Sequence, residues 1–207
     1  MIIGISGKAR SGKNVFAEFL AKALFKKTGK GYVLMAYADE LKAMAQREFD
    51  LSWDQLWGNE KEALDKRYFK SKLEGGLPYM TPVPDSYWTG REIMQSLGEF
   101  YRSINPNFWV GKLFSIIDEK EYKNVIVTDV RYPNEVDPIL KKSGYHIRIE
   151  RPSADKIHGS NHASETSLDE PYKVDIAVVN NGTLELLDIT AAETADAILK
   201  LEKFKED

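Results

Sequence analysis

The sequence predicts an α/β fold, a three-layer sandwich in which helices cover both faces of a five-stranded parallel sheet. Three observations predict it. The apolar run Met1-Ile2-Ile3-Gly4-Ile5 leads into Gly7-Lys8-Ala9-Arg10-Ser11-Gly12-Lys13-Asn14, and an amphipathic stretch from Val15 to Lys27 follows, so a strand, a glycine-rich turn and a helix meet at the start of the chain. Short apolar runs then alternate with stretches at helical spacing. Finally, Asn124-Val125-Ile126-Val127-Thr128-Asp129 is a strand whose apolar body ends in an acid.

Taken in order, Phe16, Phe19, Leu20, Ala23 and Leu24 recur at helical spacing, and Thr28-Gly29-Lys30-Gly31 stops that helix. Tyr32 to Ala36 reads as a buried strand, and Asp39 as the N-cap of a helix carrying Leu41, Met44 and Ala45. Leu51 to Leu73 spaces Trp53, Leu56, Trp57 and Leu64 among many charges and reads as a peripheral helical insertion. Gly75 to Ser86, with Gly-Gly and Pro78, Pro82 and Pro84, reads as an extended loop. Thr89 and Glu92 have capping-box spacing for a helix through Ile93, Met94, Leu97 and Tyr101, which Asn105-Pro106-Asn107 ends. Trp109, Val110, Leu113, Phe114 and Ile117 mark another helix before the strand ending at Asp129. Glu135 to Ser143 reads as a helix closed by Gly144, Tyr145 to Glu150 as a strand, and Arg151 to Tyr172 as a polar, irregular segment. Val174 to Val179 is the last strand, and Thr190 with Glu193 has capping-box spacing before a closing helix. One domain, 1–207, accounts for this order, with the helical insertion at about 50–88.

Composition excludes several classes. Apolar residues make up 43% and charged residues 29%, and no apolar run is long enough to span a bilayer, so no membrane partner is expected. The first residues lack a basic region before a long apolar segment, which argues against a secretory leader. With no cysteine there is no disulfide and no thiol chemistry. A formal charge of −3 argues against nucleic acid as a partner, which usually demands a basic excess on one surface.

The GxxxxGK spacing points to phosphate. Its two glycines let the backbone curl until successive N–H groups point inward, the helix adds its positive end, and Lys13 reaches the β- and γ-phosphates. Asn14 stands where Ser or Thr normally gives magnesium a hydroxyl, and its amide oxygen is a weaker ligand. Ligands of such sheets bind at the carboxyl ends of the strands, which gathers Gly7, Asp39, Asp129, Arg151 and Asn180 along one edge. Asp129 suits magnesium held directly or through water, and Arg131, two residues on, suits a phosphate fork. Lys8, Arg10, Lys42, Arg91 and Arg151 add cations, and an arginine excess near such a loop suggests transfer to a second phosphate rather than to water. Phe108 and Trp109 offer a platform for a base, though an aromatic pair in a helix serves core packing equally well.

Ser6 to Asn14, Met94-Gln95-Ser96-Leu97-Gly98, Phe108-Trp109-Val110 and Val127-Thr128-Asp129-Val130-Arg131 together resemble the deoxynucleoside monophosphate kinases of tailed bacteriophages. The similarity continues through Arg151-Pro152, the stretch around His162 and Glu165, and Val179 to Leu184, and is poor over Asp50 to Ser86. It implies a P-loop NTPase fold of the adenylate-kinase-like type and transfer of the γ-phosphate of ATP to a deoxynucleoside 5′-monophosphate with Mg2+. By resemblance, Lys8, Gly12, Lys13, Asn14, Val15, Arg151 and Asn180 face ATP, with Asn14 and Asp129 toward the metal and Arg10 neutralising the moving group. Lys42, Arg91 and Arg131 hold the acceptor phosphate, Gln95, Gly98 and Trp109 meet the acceptor, and Asp129 and Glu135 organise metal, sugar or arginines. The polar segment at about 151–172 resembles a short lid. The resemblance also suggests a homodimer, and the nucleotide chemistry a cytoplasmic location, that of the host for a phage-encoded chain. Other readings are a phosphomevalonate or dephospho-coenzyme A kinase, a non-catalytic ATP-dependent binding module favoured only by Asn14, and a polynucleotide 5′-kinase disfavoured by the acidic balance.

Overall fold

A computed structural model describes residues 1–73, 80–152, 167–168 and 172–206. In chain order the elements are β1 (Ile2–Ser6), α1 (Lys13–Thr28), β2 (Val33–Met35), α2 (Ala38–Phe49), α3 (Trp53–Leu56), β3 (Leu64–Leu73), β4 (Met80–Thr89), α4 (Gly90–Ile104), α5 (Phe108–Glu119), β5 (Val125–Val130), α6 (Pro133–Lys141), β6 (Tyr145–Glu150), β7 (Ile176–Val179) and α7 (Leu184–Glu206). They form two compact units, Met1–Tyr37 with Val110–Asp207, and Ala38–Trp109.

The first unit is the expected sandwich. Its five strands pair in parallel in the order β2-β5-β1-β6-β7, so β1 lies at the centre and the glycine loop leaves the sheet where the chain order changes direction. On one face Phe16, Leu20 and Leu24 of α1 pack with Ala191, Ala195 and Ile198 of α7 against Ile3, Ile5 and Ile147. On the other, Leu113 and Ile117 of α5 and Val136 and Ile139 of α6 cover Ile2, Val125 and Val127. Burial on both faces is why the central strands β1 and β5 read as apolar runs rather than alternating ones. The closing helix starts earlier than its capping-box spacing suggested: Thr190 lies inside α7, and its hydroxyl donates back to Leu186 O at 2.9 Å.

The second unit corrects the helical reading of 51–73. Only Trp53–Leu56 is helical, and β3 pairs antiparallel with β4, so the stretch expected to be a proline-rich loop supplies a strand from Met80. Cross-strand partners Leu64↔Thr89, Asp65↔Trp88 and Phe69↔Tyr87 carry it. The capping box of α4 forms as expected, with Glu92 N donating to Thr89 Oγ1 at 3.2 Å and Thr89 N to Glu92 Oε2 at 2.9 Å. A second capping box, Ser52 with Gln55, opens α3. Leu51, Leu56, Ala45 and Ile93 make this unit's core. Most of the lid-like segment, 153–166 and 169–171, lies outside the described residues. Among the described residues no helix is long and apolar enough to cross a membrane.

Candidate active site

The loop from Gly7 to Asn14 joins β1 to α1 through backbone that favours glycine. Gly7 has φ +144° and Gly12 φ +94°, and a Cβ on Gly7 would run into Ile149 O. Gly12 caps α1 with no side-chain hydrogen bond, and the first turn holds no acid, so the positive end of α1 meets no carboxylate of its own turn. Lys13 Nζ, half-buried, donates to Gly7 O and Lys8 O at 2.6 Å each, which holds its charge at the loop. Ser11 Oγ is fully buried with no hydrogen-bond partner. Lys8 and Val15 are half-buried, and Arg10, at φ +61°, and Asn14 are exposed. A curled loop with an orphaned hydroxyl, a lysine and an uncapped helix fits a polyphosphate.

Asn180, at the end of β7, buttresses that loop. Its backbone N–H donates to Glu150 O at 2.8 Å, and its buried Nδ2 to Ser11 O at 2.9 Å. Expected to face ATP, it is tied to the backbone of the loop proposed to hold it.

The end of β5 is equally ordered. Asp129 Oδ1 accepts from Tyr37 N at 2.7 Å. Glu135, buried in the first turn of α6, accepts the backbone N–H groups of Arg131 at 2.7 Å and Tyr132 at 3.2 Å on Oε2, while Tyr37 O–H donates to Glu135 O at 2.8 Å. Burial first, then the charges of Glu135 and Asp129, push the Tyr37 phenol far above its ordinary range, so it stays a neutral donor. The Glu135 carboxylate thus holds the backbone of Arg131 and Tyr132 just past the end of β5. Among the described residues no group of three or more His, Cys, Asp or Glu is placed to hold a metal. Magnesium is ordinarily held by one or two carboxylates together with substrate phosphates, and Asp129 meets that smaller demand.

Lys42, Arg91, Gln95, Gly98 and Trp109 all lie in the second unit. Arg91, Gln95 and Gly98 recur on one face of α4. Arg91 pairs with Glu62 through Nε, and Lys42 stands 5.4 Å from the Trp57 ring. Trp109 is 3% exposed, donates its indole N–H to Gly98 O at 3.3 Å and packs edge-on against Phe108 and Tyr101. A cavity of about 520 Å³, lined by Phe49, Tyr68, Trp88, Ile93, Leu97 and Phe100, uses the opposite face of α4. Arg151 is exposed just past β6.

A central parallel strand feeding a GxxxxGK loop, with an acid and an arginine at the end of the neighbouring strand, defines a P-loop protein of the phosphate-binding class. The model of the family "deoxynucleotide monophosphate kinase" matches residues 66–190. A protein of Acanthamoeba polyphaga mimivirus, provisionally named a deoxynucleotide monophosphate kinase, is 31% identical over 188 residues, 89% of this chain and 91% of the relative. The chain belongs to the deoxynucleotide monophosphate kinase family. It is similar as well to an uncharacterised protein, ORF77, of Ictalurid herpesvirus 1, at 26% identity over 76% of this chain and 68% of that one. These relatives are viral but not from bacteriophages. Among solved structures it is similar to dephospho-CoA kinase from Campylobacter jejuni (13% identity, TM-score 0.47, 97% of this chain and 98% of that one). Shikimate kinase from Aquifex aeolicus gives 16% identity and a TM-score of 0.44, over 99% and 98% of the two chains. Family membership makes the chain a kinase of small-molecule substrates and favours a nucleotide acceptor over the phosphomevalonate, dephospho-coenzyme A and non-catalytic readings.

Proposed function

We propose that the chain transfers the γ-phosphate of ATP, as its magnesium complex, to the 5′-phosphate of a deoxynucleoside monophosphate. An acceptor oxygen bonds to the γ-phosphorus, the bond from that phosphorus to the β–γ bridging oxygen breaks, and the products are a deoxynucleoside diphosphate and ADP. The acceptor oxygen is already anionic, so the step needs alignment and cations rather than a base. The loop amides and Lys13 would bind the β- and γ-phosphates, with Lys13 exchanging its contacts to Gly7 O and Lys8 O for phosphate oxygens. Arg10 would neutralise the moving group. Asp129, with Asn14, would hold magnesium, which would supply charge neutralisation for the polyphosphate. Arg131, held by Glu135 through its backbone, would take the acceptor phosphate with Lys42 and Arg91, and Gln95 would read the base over a wall shaped by Trp109 and Gly98.

The observation that carries this reading is the Lys13 ammonium at the mouth of an uncapped helix. The test is ADP formation with ATP and magnesium against each deoxynucleoside monophosphate, with water alone as control. We expect acceptor-dependent turnover with a subset of bases, and none with Lys13→Ala at an unchanged circular dichroism spectrum. ADP formation that ignores the acceptor, or persists in the variant, would overturn the reading.

A further inference from the structure

His146 of β6 is wholly buried and takes no part in the roles assigned to ATP or acceptor. Its Nδ1 lies 3.1 Å from Tyr172 O and 3.1 Å from Lys173 O. Carbonyl oxygens only accept, so Nδ1 carries the hydrogen. Burial keeps the ring neutral and Arg148 acts the same way, opposing the two carbonyls and Asp175, whose carboxylate accepts the backbone N–H of His146 at 2.7 Å. In the neutral ring Nε2 is then a bare acceptor, and it stands 2.7 Å from the buried Ser6 Oγ. Ser6 O–H must be the donor. Ser6 immediately precedes Gly7, whose carbonyl receives Lys13 Nζ.

We propose that His146 is a positioning residue: as its Nδ1–H tautomer it fixes the Ser6 hydroxyl, and with it the first peptide of the glycine loop from which Lys13 is aimed. This rests on the reading of that loop as the ATP site. The chain of contacts runs from the Tyr172 and Lys173 carbonyls through the buried imidazole to Ser6, and so sets the loop from inside the fold.

Two substitutions divide the imidazole. His146→Asn keeps an N–H donor near the Nδ1 position and is too short to reach Ser6. His146→Gln brings a carbonyl oxygen toward the Nε2 position, restoring an acceptor for Ser6 while giving up the Tyr172 and Lys173 contacts. Ser6→Ala removes the hydroxyl alone and keeps the test readable should a His146 variant misfold. Calorimetric titration with magnesium-ATP in the absence of acceptor, the KM for each substrate, and the melting temperature are measured for all three. A buried hydrogen bond left unmade predicts about tenfold weaker ATP binding and a matching rise in the KM for ATP in S6A and H146N, an acceptor KM within about twofold, and substantial rescue in H146Q. The double variant S6A/H146N should be no worse than either single one, because both lose the same bond. Unchanged ATP affinity in H146N overturns the proposal, as does an equal loss in H146N and H146Q that follows the fall in melting temperature. Wild-type chain that binds ATP yet transfers nothing overturns the transfer reading alone, and the affinity series still decides His146.

Discussion

Arg131 illustrates how a single side chain is placed by its own backbone. Its N–H is held at 2.7 Å by Glu135, so its position is fixed before its guanidinium meets any ligand. Arg131→Lys keeps the charge and loses the planar fork, so a bidentate phosphate contact becomes a point charge. Acceptor kcat/KM should fall more than about tenfold, about 1.4 kcal/mol, with the KM for ATP unmoved. Wild-type acceptor kinetics would remove Arg131 from the acceptor's contacts. At this scale the sequence spoke clearly wherever spacing carries chemistry: GxxxxGK and an acid-ended strand need few neighbours to be read. The contacts of Asn180 and His146 did not show in it, and neither did the backbone route by which Glu135 holds Arg131. Each acts on the backbone or hydroxyl of a residue distant in sequence or hidden in a turn, Asn180 on Ser11 O and His146 on Ser6 Oγ, and no local pattern marks such a partner.

Among the elements, the β3–β4 hairpin is held at its base by one carboxylate. Asp65, 6% exposed, accepts from Gln55 Nε2 at 2.9 Å and from Arg67 through its backbone N–H at 3.1 Å, Nε at 2.9 Å and a terminal nitrogen at 2.7 Å, while Arg67 also reaches Asp50. The Arg67 guanidinium holds the Asp65 carboxyl well below the usual carboxylate range. Asp65→Asn keeps the shape and turns an amide group toward Gln55 and Arg67, so we expect it to cost about 2 kcal/mol at pH 7. The sign with pH follows from the lowered folded pKa. Unfolding takes up a proton only below the unfolded value, near about 3.9, so the contribution is complete above it and is lost as pH falls toward the folded value. Denaturant titrations should therefore show a constant gap between wild type and D65N at neutral pH that narrows below about pH 4. A gap unchanged at pH 3 would show that the carboxylate charge is not its source. The same hairpin explains where sequence reading failed. Glu60-Lys61-Glu62-Ala63-Leu64 is helix-forming in composition, and register shifts between Asp65 and Phe69 and between Phe69 and Ser71 break the period of two that would announce a strand. The central strands β1 and β5 were legible because two-sided burial makes their bodies apolar runs, while the edge strands β2 and β7 showed as short apolar stretches bounded by turn residues.

For the whole molecule, the two units divide the proposed ligands between them. With 29 basic against 32 acidic residues, the chain carries no general attraction for polyanions, so nucleotide binding depends on local groups. The loop residues and Asn180 belong to the unit Met1–Tyr37 with Val110–Asp207, and Lys42, Arg91, Gln95, Gly98 and Trp109 belong to Ala38–Trp109. Hydrogen exchange reads such a division directly, because a ligand slows only those amides whose opening would release it. Magnesium-ATP alone should protect the loop and the start of α1 in the first unit. A deoxynucleoside monophosphate alone should protect α4 in the second unit if the proposed roles of Arg91 and Gln95 hold. At a ligand concentration about a hundredfold above Kd, the linkage is about 2.7 kcal/mol, a slowing of about a hundredfold for those amides. Protection by the acceptor confined to the first unit would take Lys42, Arg91 and Gln95 out of its contacts and leave Arg131 as its anchor. Protection of α4 by ATP alone would instead move part of the donor contacts onto the second unit and require a different assignment of Arg91.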